Sequence, residues 1–400
     1  MKACGVIVEY NPFHYGHKYH IEKAKKISNA DCMIAVMSGS FLQRGEPAIV
    51  DKFHRAKAAL SSGIDILLEL PYHYSVQSSD LFAKGTVSTL NEIGVKSICF
   101  GSESGSIKSF IEGYQLLKNE QHQFDHYVQY FLTKGNSFPA ANQKAFEAIG
   151  LKHIDMVQPN NILGFSYVKQ ILNNQYPIEP QTIKRIKNDF HEKVITNKIA
   201  SATSIRKELT EADWTKSVTD ALPTPSIEQL KNYYEHTETW HHWEAYFSLL
   251  RYRILSMSLS QLALIQGVDE GLEHRVKKTI INAKNFQDWM NSLKSKRYTE
   301  VRLQRMATHI LTNTTKKESN AFTRLSTVPY LRLLGMTETG QTYLNQIKKR
   351  LETPLISNLS AKYASLINTD EKALQVYYSI LAPENQIQLR KQEFQLPILN

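Results

Sequence analysis

Residues 3–17 read ACGVIVEYNPFHYGH, an apolar run that meets a turn and then a glycine flanked by His14 and His17. The run over 3–9 is β-branched and bounded by Tyr10-Asn11-Pro12, which predicts a buried strand. Outward from it, residues 17–27 have helical spacing (Ile21, Ala24, Ile27), and 31–37 (DCMIAVM) predicts a second strand stopped by Ser38-Gly39-Ser40. A helix over 52–62 ends at Gly63, and a strand over 65–70 (DILLEL) stops at Pro71. A helix over 79–93 precedes Gly94, and a strand over 97–100 runs into Gly101-Ser102-Glu103. Continuous apolar strands alternating with helices mean a parallel sheet covered on both faces, a doubly wound α/β fold. The pattern continues with a helix over 162–172, a strand over 182–186 and a helix opening near Ser204. Ala221-Leu222-Pro223-Thr224-Pro225 reads as a linker. Residues 226–400 then show mainly helical spacing, which divides the chain into an α/β part, 1–220, and an α-helical part, 226–400.

Size and composition suit an ordinary globular protein: 400 residues, 42% hydrophobic, with a mean hydropathy of −0.37. No apolar run approaches the ~18 residues of a membrane span, so no membrane association is expected. The N-terminus turns polar after Val8, too early for a signal-peptide core. Cys4, Cys32 and Cys99 are too far apart for a disulfide framework or a metal knuckle, which fits a cytoplasmic protein. With 48 Lys and Arg against 38 Asp and Glu, the net charge is +10. That excess favours a polyanionic partner and serves equally to keep a chain soluble.

In a doubly wound sheet, ligands bind at the carboxyl ends of the strands. The loop after the first strand enters a helix there, and a helix start offers unpaired N–H groups and partial positive charge to phosphate. Gly16 leaves room for a nucleotide against the backbone, while His14 and His17 can donate to phosphoryl oxygens. Phosphoryl and nucleotidyl transfer depends on such positioned donors. Ser201-Ala202-Thr203-Ser204-Ile205-Arg206 supplies hydroxyls at a later helix start, with an arginine for a departing pyrophosphate. Alone it would be an ordinary helix cap; paired with the first motif it signals adenylate chemistry.

His14-Tyr15-Gly16-His17 resembles the H-x-G-H signature of the nucleotidyltransferase superfamily that includes class I aminoacyl-tRNA synthetases, and Ser201–Arg206 its second element. With Ser38–Ala48 (SGSFLQRGEPA), Phe100–Glu103 and Gln158–Gly164, the chain resembles more closely the bacterial tRNA(Met) cytidine acetate ligases. The resemblance implies a Rossmann-like ATP-binding domain followed by a helical tRNA-binding domain. It implies activation of acetate as acetyl-adenylate, then acetylation of N4 of the wobble cytidine of elongator tRNA(Met). ATP is then a co-substrate, with Mg²⁺ expected beside it; no protein-bound metal and no stable protein partner are inferred. By the resemblance, Ile7, Val8, Glu9, Tyr10, Asn11, Pro12, Phe13, His14, Tyr15, Gly16, His17, Lys18, Tyr19 and His20 would wrap ATP. Gly101, Asn160 or Asn161, Arg185, Ser201 and Thr203 would complete the ATP site, with His14, His17, Ser204 and Arg206 catalytic. Singly, Gly101 reads as well as a turn glycine, Asn160 as a helix cap and Arg185 as a solvated residue at a strand edge. Ser38, Gln43 and Arg44 face the same crevice and suit the acyl group, the tRNA end or a plain basic loop.

There is no P-loop, and Gly101–Gly105 lacks the serine of a nucleophile elbow. His236, His241 and His242 lie among tryptophans with no acid to complete a zinc set, and read as an aromatic helix face. A basic stretch holds Arg275, Lys277, Lys278, Lys284, Lys294, Lys296, Arg297, Arg302 and Arg305, with Trp289 and Tyr298 among them. It suits an RNA backbone, with Arg275, Lys277, Lys278, Lys296 and Arg297 as expected tRNA contacts; a solvated helix face is the alternative. The competing functions are a nucleotidyltransferase adenylating a small phosphorylated metabolite and an RNA-binding protein with a relict pocket. The long basic helical half argues against the first and the two intact motifs against the second.

Overall fold

Five parallel strands carry the first half: β1 (Ala3–Val8), β2 (Cys32–Ser38), β3 (Ile66–Leu70), β4 (Ser97–Ser102) and β5 (Glu179–Lys184). The structure is a computed structural model describing residues 1–151, 154–185, 201–212, 214–269 and 271–400. The expected strand over 182–186 therefore corresponds to β5, with Ile186 outside the described residues. Every residue of β2 and β3 is buried, as strands covered on both faces must be. The order β5-β4-β1-β2-β3 places a switch point between β1 and β4, because the chain winds outward to β3 and then returns to the far side of β1. A ligand crevice is expected at the carboxyl ends of those two strands.

The sheet then continues into the second half. β6 (Leu331–Met336) pairs antiparallel with β3, and β7 (Leu355–Ile356) and β8 (Ile398–Leu399) pair parallel with β6. The division into an α/β part and a helical part thus omits three strands. In β6, LRLLGM has a cation at its second position, so it does not read as a buried strand, yet Arg332 is 4% exposed. Its guanidinium meets Glu393 at 2.7 Å. Glu393 also pairs with Lys52, which lies 2.6 Å from Glu69 of β3. This buried network ties the sheet to the C-terminal turn.

The Pro-rich stretch is a helix start rather than a loose connection. Ala221 and Leu222 are buried, and Pro225 occupies the first turn of the Thr224–Thr237 helix, where its missing N–H costs nothing. That helix packs on the Lys52–Leu60 helix. One apolar cluster joins Phe41, Ile49, Val50, Tyr72 and Val76 of the first half to Trp243, Tyr246, Met306 and Tyr377 of the second. Two others cover the faces of the sheet, and all three cysteines are free and buried. No helix among the described residues is long and apolar enough to cross a membrane.

Several histidines belong to this core. His241 meets the hydroxyls of Tyr233 (2.6 Å) and Tyr246 and stacks on Tyr377 at 3.8 Å. His309 lies between Val76 O and the Tyr72 hydroxyl, each 3.1 Å away. Burial pushes both pKa values down to about 3, and that of His73 to about 4. From pH 6.5 down towards 4 the unfolded chain takes up protons that these native imidazoles refuse, so stability falls as pH falls. Each contributes up to ~1.4 kcal/mol per pH unit in that window. His54 acts the other way: Asp51, 2.7 Å from its Nδ1, raises its pKa, so its contribution is complete below pH 6.5 and is lost as pH rises. Urea midpoints should drop steadily from pH 7 to pH 4.5; a constant midpoint would refute this burial of neutral histidines.

Candidate active site

The loop after β1 is held from several sides. Arg55, 2% exposed, donates to Glu9 O (2.7 Å), Ser38 O (3.0 Å), Val50 O (3.2 Å) and Gly39 O, pinning the ends of β1 and β2 together. Asn11 Oδ1 accepts from Ile49 N–H at 2.7 Å, and the Glu9 carboxylate accepts from Gln43 N–H at 2.8 Å. Burial raises the Glu9 pKa. Tyr10, Pro12 and Phe13 are buried beneath the loop, while Tyr15, Lys18 and Tyr19 form the first turns of the Tyr15–Ser28 helix.

His14 caps that helix. Its Nδ1 accepts from Gly16 N–H at 3.0 Å, and His17 Nδ1 accepts in return from His14 N–H at 3.3 Å. The two rings stack, with centroids 3.8 Å apart. A backbone N–H can only donate, so each Nδ1 is unprotonated and each neutral ring carries its proton on Nε2. Burial, with the charge of Arg185, lowers the His14 pKa to about 4. Burial lowers that of His17 well below its ordinary value, with His14, His20 and Arg185 adding to the effect. At neutral pH the site therefore presents two uncharged Nε2–H donors. Tyr10 supports the His17 ring edge-on, with centroids 5.0 Å apart.

The opposite wall comes from β4 and β5. A side chain on Gly101 would press within 3.3 Å of Arg185 Cγ, so the glycine makes room for that arginine. Arg185 Nη1 approaches Asn160 Oδ1 at 3.4 Å. Glu103, which sequence reasoning did not single out, organises this wall: its carboxylate accepts from Asn160 Nδ2 at 2.7 Å and Asn161 N–H at 2.9 Å. The Asn161 side chain is buried and engaged with Ser104 N–H and Asp155 O. Asn160 is thus the member of the pair grouped with Arg185.

The second motif reaches the first across the fold. Ser201 Oγ caps the Ala202–Glu211 helix by accepting from Ser204 N–H at 3.1 Å, and Thr203 is exposed. Arg206 donates to Asn11 O at 2.9 Å and meets Glu46 at 3.1 Å. Buried polar atoms left without a partner include Tyr10 OH and Asn11 Nδ2 of this loop, His20 Nε2 of the helix that follows and Ser38 Oγ at the end of β2. Such atoms are costly unless a polar ligand satisfies them. No group of three or more His, Cys, Asp or Glu that could hold a metal ion occurs among the described residues.

The remaining candidates divide. Gln43 is bonded into the loop through Glu9 and Gln77 O (2.8 Å), while Arg44 is exposed. Arg275 donates to Ser292 O and Lys294 O, and Lys277 to Leu255 O, so both cap helix ends. Lys278 and Lys296 are exposed, and Arg297 lies over the Tyr298 ring at 5.9 Å.

A switch-point crevice lined by paired neutral histidines at a helix start defines a nucleotide-binding α/β enzyme. A family model described as HIGH Nucleotidyl Transferase matches residues 1–393, and the chain belongs to that family. A protein of Oceanobacillus iheyensis named tRNA(Met) cytidine acetate ligase is 50% identical over 402 positions, covering all of both chains. One of the same name from Bacillus subtilis is 45% identical over 382 positions, covering 94% of this chain and 92% of its own. Crystal structures of Thermotoga maritima TmcAL, one apo and one bound with alpha-thio ATP, are similar with TM-score 0.91 and 31% identity. Each covers 100% of this chain and 99% of the other.

Proposed function

We propose that this chain is an ATP-dependent ligase that forms N4-acetylcytidine at the wobble position of elongator tRNA(Met), in the cytoplasm, through an acetyl-adenylate. The observation that carries the chemistry is the stacked, uncharged pair His14 and His17 at the helix start. An acetate oxygen attacks the α-phosphorus of ATP, the P–O bond to pyrophosphate breaks, and negative charge gathers on the α-phosphoryl oxygens. Two fixed Nε2–H donors stabilise that charge with no reorganisation. Ser201, Ser204 and Arg206 take the pyrophosphate side, with Mg²⁺ entering alongside ATP. Arg185, whose charge reaches His14 and His17, faces the phosphates, and Asn160 takes the nucleoside side. The cytidine amine then attacks the acetyl carbonyl, a C–N bond forms, the C–O bond to AMP breaks, and the amine loses a proton. The adenylation groups lie in residues 1–220, while tRNA contacts are assigned mainly to 226–400.

The purified protein should exchange pyrophosphate into ATP only when acetate is present and acetylate elongator tRNA(Met) without a protein partner. Acetate-independent exchange, or no product on that tRNA, would overturn the reading. Arg206→Ala removes one cation facing the leaving group and one tether on the Asn11 carbonyl, so exchange should slow by about tenfold or more, the cost of a charge-assisted hydrogen bond. An unchanged rate would return Ser201–Arg206 to a plain helix cap.

A further inference from the structure

We propose that Arg44, Arg302 and Arg305 form a phosphate-binding surface for the backbone of the acceptor RNA, built onto the rim of the adenylation crevice; this rests on the ligase reading above. Arg44 is held between Gln43, which shares a carbonyl partner with Arg305 of the Glu300–Leu311 helix, and Gly45, which packs on that helix. On one side, Gln43 Nε2 donates to Gln77 O at 2.8 Å, and Arg305 Nη1 donates to the same carbonyl at 2.9 Å. On the other, Gly45 (φ 80°) lies so close to the backbone of Gln304 and Arg305 that no side chain would fit. Its carbonyl accepts from Trp243 Nε1 at 2.9 Å and Thr308 Oγ1 at 2.8 Å. Arg302 stands one turn before Arg305, its guanidinium 4.9 Å from the Tyr298 ring.

Three guanidinium groups are thereby gathered with little countercharge. Among the described residues, the carboxylate paired with them is Asp269, 3.7 Å from Arg302, and Asp269 is shared with Lys316 at 3.0 Å. Burial, together with the charges of Arg302 and Arg44, pulls Arg305 down to about 10. Like charges held together by the fold repel until anions arrive, and successive phosphates of a nucleic acid supply them. The cluster is joined to the chemistry through Gln43, whose N–H holds Glu9 at the end of β1. A backbone laid over residues 43–45 would therefore pass the mouth of the crevice, where the acceptor base must enter. Arg302 on Tyr298 also offers a guanidinium plane of the kind on which unpaired bases stack.

The test uses the full chain with two pairs of substitutions, Arg44→Gln with Arg302→Gln and Arg44→Lys with Arg302→Lys; Arg305 stays, because it holds the Gln77 carbonyl. Binding of elongator tRNA(Met), a non-cognate tRNA and poly-glutamate is measured at several salt concentrations. The Gln pair should weaken both tRNAs by about tenfold or more and flatten log K against log salt by about 0.7–0.9 per lost contact. The Lys pair should recover most of the affinity, since a phosphate accepts a point charge. Parent affinity and slope in the Gln pair, with the parent itself binding tRNA, would overturn the surface. So would a loss that lysine does not repair, or a loss confined to poly-glutamate, which would indicate an acidic protein partner. A parent chain that binds neither tRNA overturns the ligase reading instead.

Discussion

Replacing His17 by alanine is expected to slow acetate-dependent ATP–pyrophosphate exchange by about 10²-fold or more, the usual cost of removing one fixed donor from a developing oxyanion. His14→Ala should do the same and also loosen the helix start, since His14 Nδ1 caps Gly16 N–H; loss of a cap costs about 1 kcal/mol. Asparagine separates the two effects. Its side-chain oxygen can replace Nδ1 as an acceptor from the backbone, but nothing reaches the position of Nε2. His14→Asn and His17→Asn should therefore melt near the parent and remain as slow as the alanine variants. Near-parent exchange in the asparagine pair would mean that the rings serve only as caps. The pH profile offers a second check. With His14 held at about 4 and His17 also well below its ordinary value, both rings are neutral through the pH range where a free histidine titrates. Exchange should show no acid limb at the ordinary histidine value of about 6.5; a limb there that vanishes in the variants would show that the rings act charged.

The parts of this site legible in the sequence are those whose signal is local. β1 to β3 are apolar runs stopped by Asn11-Pro12, Ser38-Gly39 and Pro71, β4 runs on through Gly101 to Ser102, and all four fold as strands because burial on both faces demands that pattern. The H-x-G-H loop follows the same logic, as its histidines and glycine must all sit within one turn. What could not be read depends on partners remote in sequence. Arg55, in KFHRAKAAL, looks like a solvated helix cation, yet four backbone carbonyls surround it. Asn160 and Asn161 differ only in which way the helix turns them, and Glu103 settles that. Arg332 breaks an apolar run, and its partner Glu393 comes 61 residues later, so β6 carries no local mark of burial. The two cations Arg275 and Lys277 sit in a stretch that looks uniformly basic, and only the packed helices show them capping carbonyl ends.

A fragment ending near Ala221 should fail to fold, although a Pro-rich linker read from sequence predicts an independent ATP-binding domain that merely loses tRNA. Truncation there removes β6, which turns β3 from an interior strand into an edge of five apolar or buried residues. Such an edge pairs with other chains. It removes the Trp243, Tyr246 and Met306 side chains that cover Phe41, Val50 and Tyr72. It strips partners from groups that stay behind. Gly45 O loses Trp243 and Thr308, Ala48 O loses Tyr377, and Asp51 loses Tyr378. Lys52 keeps Glu69 but loses Glu393. Each buried group left unsatisfied costs about 1–3 kcal/mol, so two or three take up a large share of the ~5–15 kcal/mol by which ordinary domains are stable, before the uncovered apolar surface is counted. The loop after β1 depends on the same residues, because Ile49 N–H holds Asn11 and Arg55 holds Glu9. Expressed alone, residues 1–221 should therefore be insoluble or lack a cooperative melt, and should not bind ATP. A soluble fragment that melts cooperatively and retains ATP affinity would show that the second half covers this site without holding it together.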